Sequence, residues 1–186
     1  MREIKRVDFW EKERTIRAFR QSSYGARLTD YADRYDPVAE HYFLEVQEKL
    51  KGIWRILPFD PGTGFEVHES LRKEKVPAHD RNIEVSRFCL ARDVSKISLF
   101  SVFDYFWDYC IENDVTKILA WARPAVIPLY RYIGFQVTDE PFIPKRFKST
   151  HYPLTLEWEN FYQSEGYQAL KRRNDRKRGV KVAASI

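Results

Sequence analysis

The chain has 186 residues, of which 44% are hydrophobic and 16% aromatic, and its formal net charge at pH 7 is +5. This length suits one domain with one hydrophobic core, and the composition excludes an intrinsically disordered chain. No stretch approaches the ~18 consecutive apolar residues of a membrane span, and the first residues lack the apolar core of a secretory signal. We therefore expect a soluble, cytoplasmic protein.

The N-terminal half is predicted to hold one helix, a hairpin and a further buried strand. The helix is inferred from loosely helical spacing of apolar residues, and the strands from runs of aromatic and β-branched residues. Proline, glycine and charged residues predict an irregular connection with one short helix. In chain order the ranges are 7–23 for the helix, 41–46 and 53–57 for the hairpin strands, 48–52 for their turn, 69–75 for the short helix and 83–91 for the buried strand.

The C-terminal half is predicted to alternate helices and strands. The ranges are 98–113 for an apolar helix, 118–121 for a strand, 125–132 for a short helix, 135–137 for a strand and 152–158 for the final strand. Helices and strands that interleave after a hairpin predict an α/β fold with a mixed sheet. We expect one domain over residues 1–170 and a basic C-terminal tail over residues 171–186.

Two sets of motifs resemble known families. The segment Leu129-Tyr-Arg-Tyr-Ile-Gly134-Phe135 resembles the LYxxxGF segment of GCN5-related N-acetyltransferases, where a helix ends at a glycine that adopts positive φ. An ordinary helix end with core aromatics has the same pattern. The second set is more specific and resembles the acyl-homoserine-lactone (autoinducer) synthases. Its matching elements are Arg20 with Tyr24, Asp33 with Asp36, Arg55 in a GxxRxLP segment, and Glu84 with Arg87 in an ExxR segment.

This resemblance implies a single-domain GCN5-related N-acyltransferase fold, with a mixed sheet flanked by helices and two central strands that splay apart to admit an acyl thioester. It also implies an enzyme with Glu84 and Arg87 in catalytic roles, Glu84 being our candidate for the base that deprotonates an amine. The residues expected to bind substrate are Arg20, Tyr24, Asp33, Asp36, Arg55, Phe88 and Cys89, with Phe103, Trp107 and Trp121 as candidates for an acyl pocket.

A structural interpretation of the same residues stays open. Unpaired charges are costly near a core, so the arginines and acids are also expected to form a buried ion-pair network. Glu84 and Arg87, three residues apart in a strand, face opposite sides of the sheet unless a bulge intervenes. Cys89 and Cys110 lack CxxC spacing and predict buried thiols, and the four histidines are too scattered for a metal site.

The segment after the third predicted strand indicates the acyl donor. Acetyl-CoA enzymes of this fold carry a glycine-rich loop there that holds the CoA pyrophosphate, whereas residues 91–98 contain no glycine and include Asp93. We therefore expect the acyl-phosphopantetheine of acyl carrier protein as donor and no tightly bound cofactor. An acidic carrier would dock on basic residues, for which the candidates are Arg92, Lys96, Lys145, Arg146, Lys148 and the terminal basic run. No nucleic-acid-binding motif is present.

The acceptor follows from a departure from the family pattern. Autoinducer synthases use S-adenosylmethionine and carry a tryptophan about ten residues after the first arginine, where this chain has Asp30. That difference favours the related long-chain N-acyl amino acid synthases, which acylate the α-amine of an amino acid such as tyrosine. Two alternatives remain: an acyl-homoserine-lactone synthase, and a non-catalytic protein that binds an acyl carrier or a lipid.

Overall fold

The computed structural model describes residues 2–70 and 81–177. The strands are β1 (Arg2–Val7), β2 (Glu40–Val46), β3 (Lys49–Pro58), β4 (Asn82–Leu90), β5 (Lys117–Ala122), β6 (Gln136–Val137) and β7 (Tyr152–Glu157). The helices are α1 (Phe9–Tyr24), α2 (Lys96–Glu112), α3 (Ile127–Tyr132), α4 (Trp158–Gln163) and α5 (Glu165–Lys177). The strands form one sheet in the order β1-β2-β3-β4-β5-β7-β6. The expected α/β fold with a mixed sheet is confirmed.

Helices cover both faces of this sheet. Residues of α2, α3 and α4 pack with one face in the largest hydrophobic cluster, to which Tyr167 of α5 adds its ring. Phe9 and Ile16 of α1 pack on the opposite face, against Phe43 and Ile53 of the hairpin. We call these the α2 side and the α1 side of the sheet.

The central pair of strands splays apart, as the resemblance implies. β4 and β5 are the one parallel pair in this sheet, and their pairing covers only Asn82–Glu84 with Lys117–Leu119. Beyond those residues both strands continue, to Leu90 and to Ala122, without pairing with each other. The backbones therefore diverge and leave an opening in the middle of the sheet.

The start of the chain differs from the sequence prediction of one helix over 7–23. Val7 ends strand β1, which the sequence analysis did not predict and which pairs with β2 at the sheet edge. α1 begins at Phe9 because the side chain of Asp8 accepts a hydrogen bond from the backbone N–H of Glu11, which caps the helix. The charged residues of β1 are suited to an exposed edge strand.

The predicted hairpin is confirmed, but its turn is shorter than the predicted 48–52. Gln47 and Glu48 form the turn with φ of 52° and 63°, the positive values that two-residue hairpin turns require. β3 therefore begins at Lys49, and a register shift leaves Lys51 as an extra residue opposite β2. Local sequence patterns did not show this shift.

The C-terminal part extends further than predicted. β7 is the last strand of the described residues, and α4 and α5, which the sequence analysis did not predict, follow it. α5 continues past residue 170, where we placed the tail, to Lys177. The predicted short helix at 69–75 falls mostly on residues 71–80, outside the described residues, and a 3₁₀ helix occupies Glu66–Glu69. Across the described parts of the chain, every helix is too short or too polar to cross a membrane.

Candidate active site

A β-bulge in β4 sets the direction of the charged side chains. The register pairs Ile53 of β3 with Cys89, but Arg55 with Ser86, so β4 has one residue more than β3 between these pairs. Arg87 lies in this bulge with φ of 55°. A bulge adds one residue to a strand and re-aims its side chains.

The bulge brings both residues of the ExxR segment to one side of the sheet. Val85 and Phe88 pack in the cluster on the α2 side. Glu84 and Arg87 instead both contact the 3₁₀ helix Glu66–Glu69 on the α1 side. The condition that we set for Glu84 and Arg87 to share a face, an intervening bulge, is therefore met.

A buried ion-pair network fills the α1 side next to the bulge. Arg55 lies at its centre and donates hydrogen bonds to Asp33 at 2.6 Å, to Asp36 at 2.8 Å and to Glu66 at 2.5 Å. Its Nε donates to the hydroxyl of Ser86 at 2.9 Å. Arg55 and Asp36 have no exposed surface. The network thus ties two loops to the sheet.

Two further arginines complete the network. Arg20 of α1 donates two parallel hydrogen bonds to Asp36, at 2.7 and 2.8 Å, a bidentate geometry that guanidinium and carboxylate groups favour. Nη2 of Arg87 donates to Asp33 at 2.6 Å and to Glu66 at 2.5 Å. Three arginines are therefore matched by three carboxylates, as the structural interpretation of the sequence requires.

The arginines keep their carboxylate partners ionised. Burial raises the pKa of Asp33, but the charges of Arg55 and Arg87 outweigh it and lower that pKa to about 2. Burial also raises the pKa of Asp36, but the charges of Arg55 and Arg20 outweigh it and hold that pKa far below its usual value. Desolvation is thus compensated by charges at hydrogen-bonding distance.

Glu84 stands apart from these ion pairs. The sequence analysis included it among the acids expected to pair with the arginines, but Glu66 forms those ion pairs instead. Within the described residues Glu84 forms no ion pair: its Oε2 accepts from the backbone N–H of Val67 at 3.0 Å, and its Oε1 from the indole of Trp121 at 3.3 Å. Burial, with the negative charge of Glu66, raises its pKa to about 7.

The divergence of β4 and β5 opens a cleft of about 280 Å³ through the sheet. Five of the predicted site residues line it: Tyr24, Arg87, Phe88, Cys89 and Trp121. The other predicted charged residues lie behind its wall and are absent from its lining, namely Arg20, Asp33, Asp36, Arg55 and Glu84. Glu84 is connected to the cleft through Trp121.

An apolar pocket of about 70 Å³ adjoins the cleft on the α2 side. Aliphatic and aromatic residues alone line it, and among them are the predicted Phe103 and Trp107 of α2. Val85, Phe88 and Tyr130 line both the pocket and the cleft. The two spaces are therefore neighbours, with charged and polar side chains lining the cleft on the α1 side and apolar ones lining the pocket on the α2 side.

Three titratable residues of the cleft were missed as site residues by the sequence analysis. Arg123, Tyr130 and His151 line the cleft. Burial raises the pKa of Tyr130 to about 12, so its phenol stays protonated. Tyr130 belongs to the segment that resembles LYxxxGF, which was the one available signal, whereas Arg123 and His151 lie in no recognisable motif.

The segment between β4 and α2 is arranged unlike an anion-binding loop. The side chain of Ser95 caps α2 by accepting from the backbone N–H of Ser98 at 3.2 Å, so this donor is already used. Asp93 is exposed and pairs with Lys51 at 2.5 Å. In the described residues no group of histidine, cysteine and acidic side chains could hold a metal ion, and Cys89 and Cys110 are buried and free.

Comparison with solved structures identifies the fold. The sequence matches no protein-family model and no curated protein. FeeM, an N-acyl amino acid synthase from uncultured soil microbes, aligns over 91% of this chain and 98% of its own, with 16% identity and a TM-score of 0.77. The acyl-homoserine-lactone synthase LasI aligns over 88% of this chain and 95% of its own, with 14% identity and a TM-score of 0.64. The IAA acetyltransferase from Bacillus cereus ATCC 14579 aligns over 84% of this chain and 99% of its own, with 12% identity and a TM-score of 0.56.

The chain has the GCN5-related N-acyltransferase fold. The fold implied by the sequence motifs is thereby confirmed, including its sheet and its splayed central strands. Within this fold the cleft of this chain lies at the divergence of β4 and β5, next to the bulge that holds Arg87. The motifs of the sequence thus converge on one opening in the sheet.

Proposed function

We propose that this chain is an N-acyltransferase that moves a long-chain fatty acyl group from acyl carrier protein to the α-amine of an amino acid. The observation that carries the proposal is the apolar pocket that adjoins the cleft. A pocket lined by aliphatic and aromatic side chains suits a fatty chain, because burial of each methylene is worth about 0.8 kcal/mol. An acetyl group would gain little from it.

Two features support acyl carrier protein rather than CoA as the donor. The N-terminus of α2, where a CoA pyrophosphate would bind by analogy, has its Ser98 amide satisfied by Ser95 and has Asp93 beside it. The surface also offers Arg92, Lys145 and Lys171, all of them exposed, to an acidic carrier. A phosphopantetheine arm would then enter the cleft with its acyl chain directed into the apolar pocket.

The proposed reaction is direct transfer without a covalent enzyme intermediate. The amine nitrogen attacks the thioester carbonyl carbon, the C–N bond forms, and collapse of the tetrahedral adduct breaks the C–S bond and releases the thiol. We propose the backbone amides of Phe88 and Cys89 as donors to the oxyanion. Phe88 suits this role because it lies in the bulge and beyond the paired part of β4 and β5.

Glu84 fits this mechanism best as a positioning residue. The sequence analysis proposed it as the base, but its carboxyl is fully buried and reaches the cleft only through Trp121. By holding the indole of Trp121 and the backbone of Val67, Glu84 fixes one wall of the cleft. Its role as a base stays a prediction that the Glu84→Gln variant tests.

The test of the function is mass spectrometry of lipid extracts from bacteria that express this chain. Cells with the empty vector and cells expressing Arg55→Met, which disrupts the network behind the cleft, are the controls. We expect new long-chain N-acyl amino acids, N-acyl tyrosine first, only with the intact chain. Acyl-homoserine lactones would instead select the autoinducer reaction, and the absence of any new acyl product, with folded protein present, would overturn the proposal.

Purified protein then identifies the donor. Palmitoyl acyl carrier protein and palmitoyl-CoA are compared at equal concentrations with tyrosine as acceptor. The proposal expects kcat/KM to be at least tenfold higher for the carrier-bound donor. Equal values would contradict the assignment of the donor while leaving the acyltransferase function intact.

A further inference from the structure

Arg87 has hydrogen-bond donors at the cleft that the network does not use. Arg87 is 3% exposed, and only its Nη2 donates to the network, whereas its Nε and Nη1 have no hydrogen-bond partner in the described residues. An unsatisfied buried guanidinium N–H group is costly, and a ligand oxygen would relieve that cost. The cleft lining contains no aspartate or glutamate.

A second arginine faces the same space. Arg123 follows β5 in an extended conformation, with φ of −69° and ψ of 153°, so it continues the alternation of Trp121 and lies on the α1 side. It lines the cleft, is half-buried and forms no ion pair within residues 2–70 and 81–177. Arg123 and the two unbonded nitrogens of Arg87 therefore border one cleft with donors that the described residues leave unused, which predicts an anionic ligand.

His151 lines this cleft and carries an unprotonated nitrogen. It is 4% exposed, and its ring contacts the rings of Trp121 and Phe147, with centroids 5.1 and 4.9 Å apart. Nδ1 lies 2.8 Å from the carbonyl oxygen of Ser149. Because a carbonyl only accepts, Nδ1 carries the proton, and in the neutral ring Nε2 keeps a free lone pair.

The surroundings keep this imidazole neutral. Burial lowers the pKa of His151, the hydrogen bond to Ser149 opposes it, and the charges of Arg123 and Arg87 lower it further, to about 4. The other titratable groups of the cleft, Tyr24, Cys89 and Tyr130, have pKa values that burial raises. Among these titratable groups of the cleft, His151 is therefore the one that keeps an unprotonated nitrogen at neutral pH.

We propose that the α1 side of the cleft is the acceptor site, where Arg87 and Arg123 bind the carboxylate of the amino acid and Nε2 of His151 takes a proton from its ammonium group. This inference rests on the proposed acyltransferase function and adds to it the acceptor subsite. The free amine would then point toward Phe88, where the cleft meets the acyl pocket.

The proton balance of the reaction closes with these groups. The ammonium group gives one proton to His151, and the neutral amine forms the C–N bond to the acyl carbon. The nitrogen of the adduct loses a second proton, which the departing thiolate takes up as the C–S bond breaks, and His151 returns its proton to solvent. A bound carboxylate also offsets the charges of Arg87 and Arg123, so binding of the acceptor raises the pKa of His151 and makes it a stronger base.

Acceptor discrimination tests the arginines. Tyrosine and tyramine, which lacks the carboxylate, are compared as acceptors with palmitoyl acyl carrier protein as donor. Wild type should prefer tyrosine at least tenfold in kcat/KM, because charge-assisted hydrogen bonds are worth about 1.5–3 kcal/mol. Arg123→Gln should lose most of this preference through a higher KM for tyrosine, and Arg123→Lys should retain part of it. Arg131→Gln, exposed on α3 and outside the cleft, is the matched control.

The pH dependence tests His151. Asparagine at this position can still donate to the carbonyl of Ser149 but has no counterpart of Nε2, so His151→Asn removes the base and keeps the structural bond. General base catalysis contributes about 10²-fold or more, so kcat should fall about 100-fold at pH 7. The loss should shrink at a pH above the pKa of the amine, where the acceptor is already deprotonated.

Several outcomes would overturn the inference. The first is an unchanged preference for tyrosine in Arg123→Gln. The second is an increase in the KM of the donor instead of the acceptor, which would assign the arginines to the carrier phosphate. The third is a loss of kcat in His151→Asn that is equal at every pH. A wild-type enzyme that acylates tyrosine while these variants behave as wild type would refute only the acceptor site. Wild type that acylates no amine would refute the proposed function itself.

Discussion

Arg55 is the residue on which the network depends most, because it contacts three carboxylates and one hydroxyl from three separate segments. Arg55→Met removes the charge and keeps much of the volume, which leaves Asp33, Asp36 and Glu66 with too few partners. Breaking a buried pair typically costs about 3–5 kcal/mol, and we expect a loss of that order in the free energy of unfolding, measured with urea. Arg17→Met, at an exposed pair with Glu13, should cost less than about 1 kcal/mol. Equal effects would show that the network adds no stability.

The raised pKa of Glu84 predicts an unusual dependence of stability on pH. Its pKa rises from 4.5 to about 7 on folding, so the native state binds the proton more tightly than the unfolded state. Protonated Glu84 therefore contributes roughly 3 kcal/mol to the free energy of unfolding. This contribution is complete below about pH 4.5 and is lost as the pH rises through 7. The difference in free energy of unfolding between wild type and Glu84→Gln should therefore fall from pH 5 toward pH 8. A constant difference would mean that Glu84 is not protonated in the native state.

At the scale of elements, the end of α3 depends on a glycine. Gly134 has φ of 99°, and a Cβ there would lie 2.7 Å from the backbone oxygen of Asn160 in α4. Because that oxygen belongs to the backbone of a packed helix, Gly134→Ala should cost more than about 2 kcal/mol. Gly62→Ala, where the nearest atom is a side-chain oxygen of Asp60 at 3.3 Å, should be nearly neutral. Thermal unfolding of the two variants makes the comparison, and similar midpoints would contradict this packing argument.

The bulge in β4 is the element that links fold and site. It places Arg87 beside Glu66 and beside the ring of Phe147, 4.9 Å from its guanidinium carbon, while Phe88 packs on the α2 side. The divergence of β4 and β5 begins two residues before it. One local irregularity thus separates the polar from the apolar half of the cleft.

At the scale of the whole molecule, the proposed docking of an acidic carrier on the exposed Arg92, Lys145 and Lys171 predicts that salt weakens binding of the donor. Raising the ionic strength from about 0.05 to about 0.5 M shortens the Debye length and weakens attraction between exposed charges. We expect the KM for palmitoyl acyl carrier protein to rise several-fold, while the KM for palmitoyl-pantetheine, which lacks the acidic carrier, stays nearly constant. Arg92→Glu should raise only the first of these values. Parallel changes for both donors would argue against electrostatic docking of a carrier.

Much of the fold followed from local patterns. The hairpin strands, β4, α2 and β5 each have the spacing of apolar residues that their environment requires, and they were predicted within a few residues. β1 was missed because its charged edge-strand residues do not alternate with enough apolar ones, and α5 because its basic residues suggested a tail. The pairing of Arg20, Arg55 and Asp36 could be predicted because buried charges need partners.

The sequence by itself determined the fold class, the motif residues on the α1 side and the need for those charges to pair, because apolar periodicity and charge burial act within short segments. Only the tertiary structure decided which acid completes the network, since Glu66 lies in an irregular connection without a motif. It also decided the cleft itself. Arg87, Arg123 and His151 are far apart in the chain, and they meet only because β4 and β5 diverge and the strand β7 that follows His151 pairs with β5.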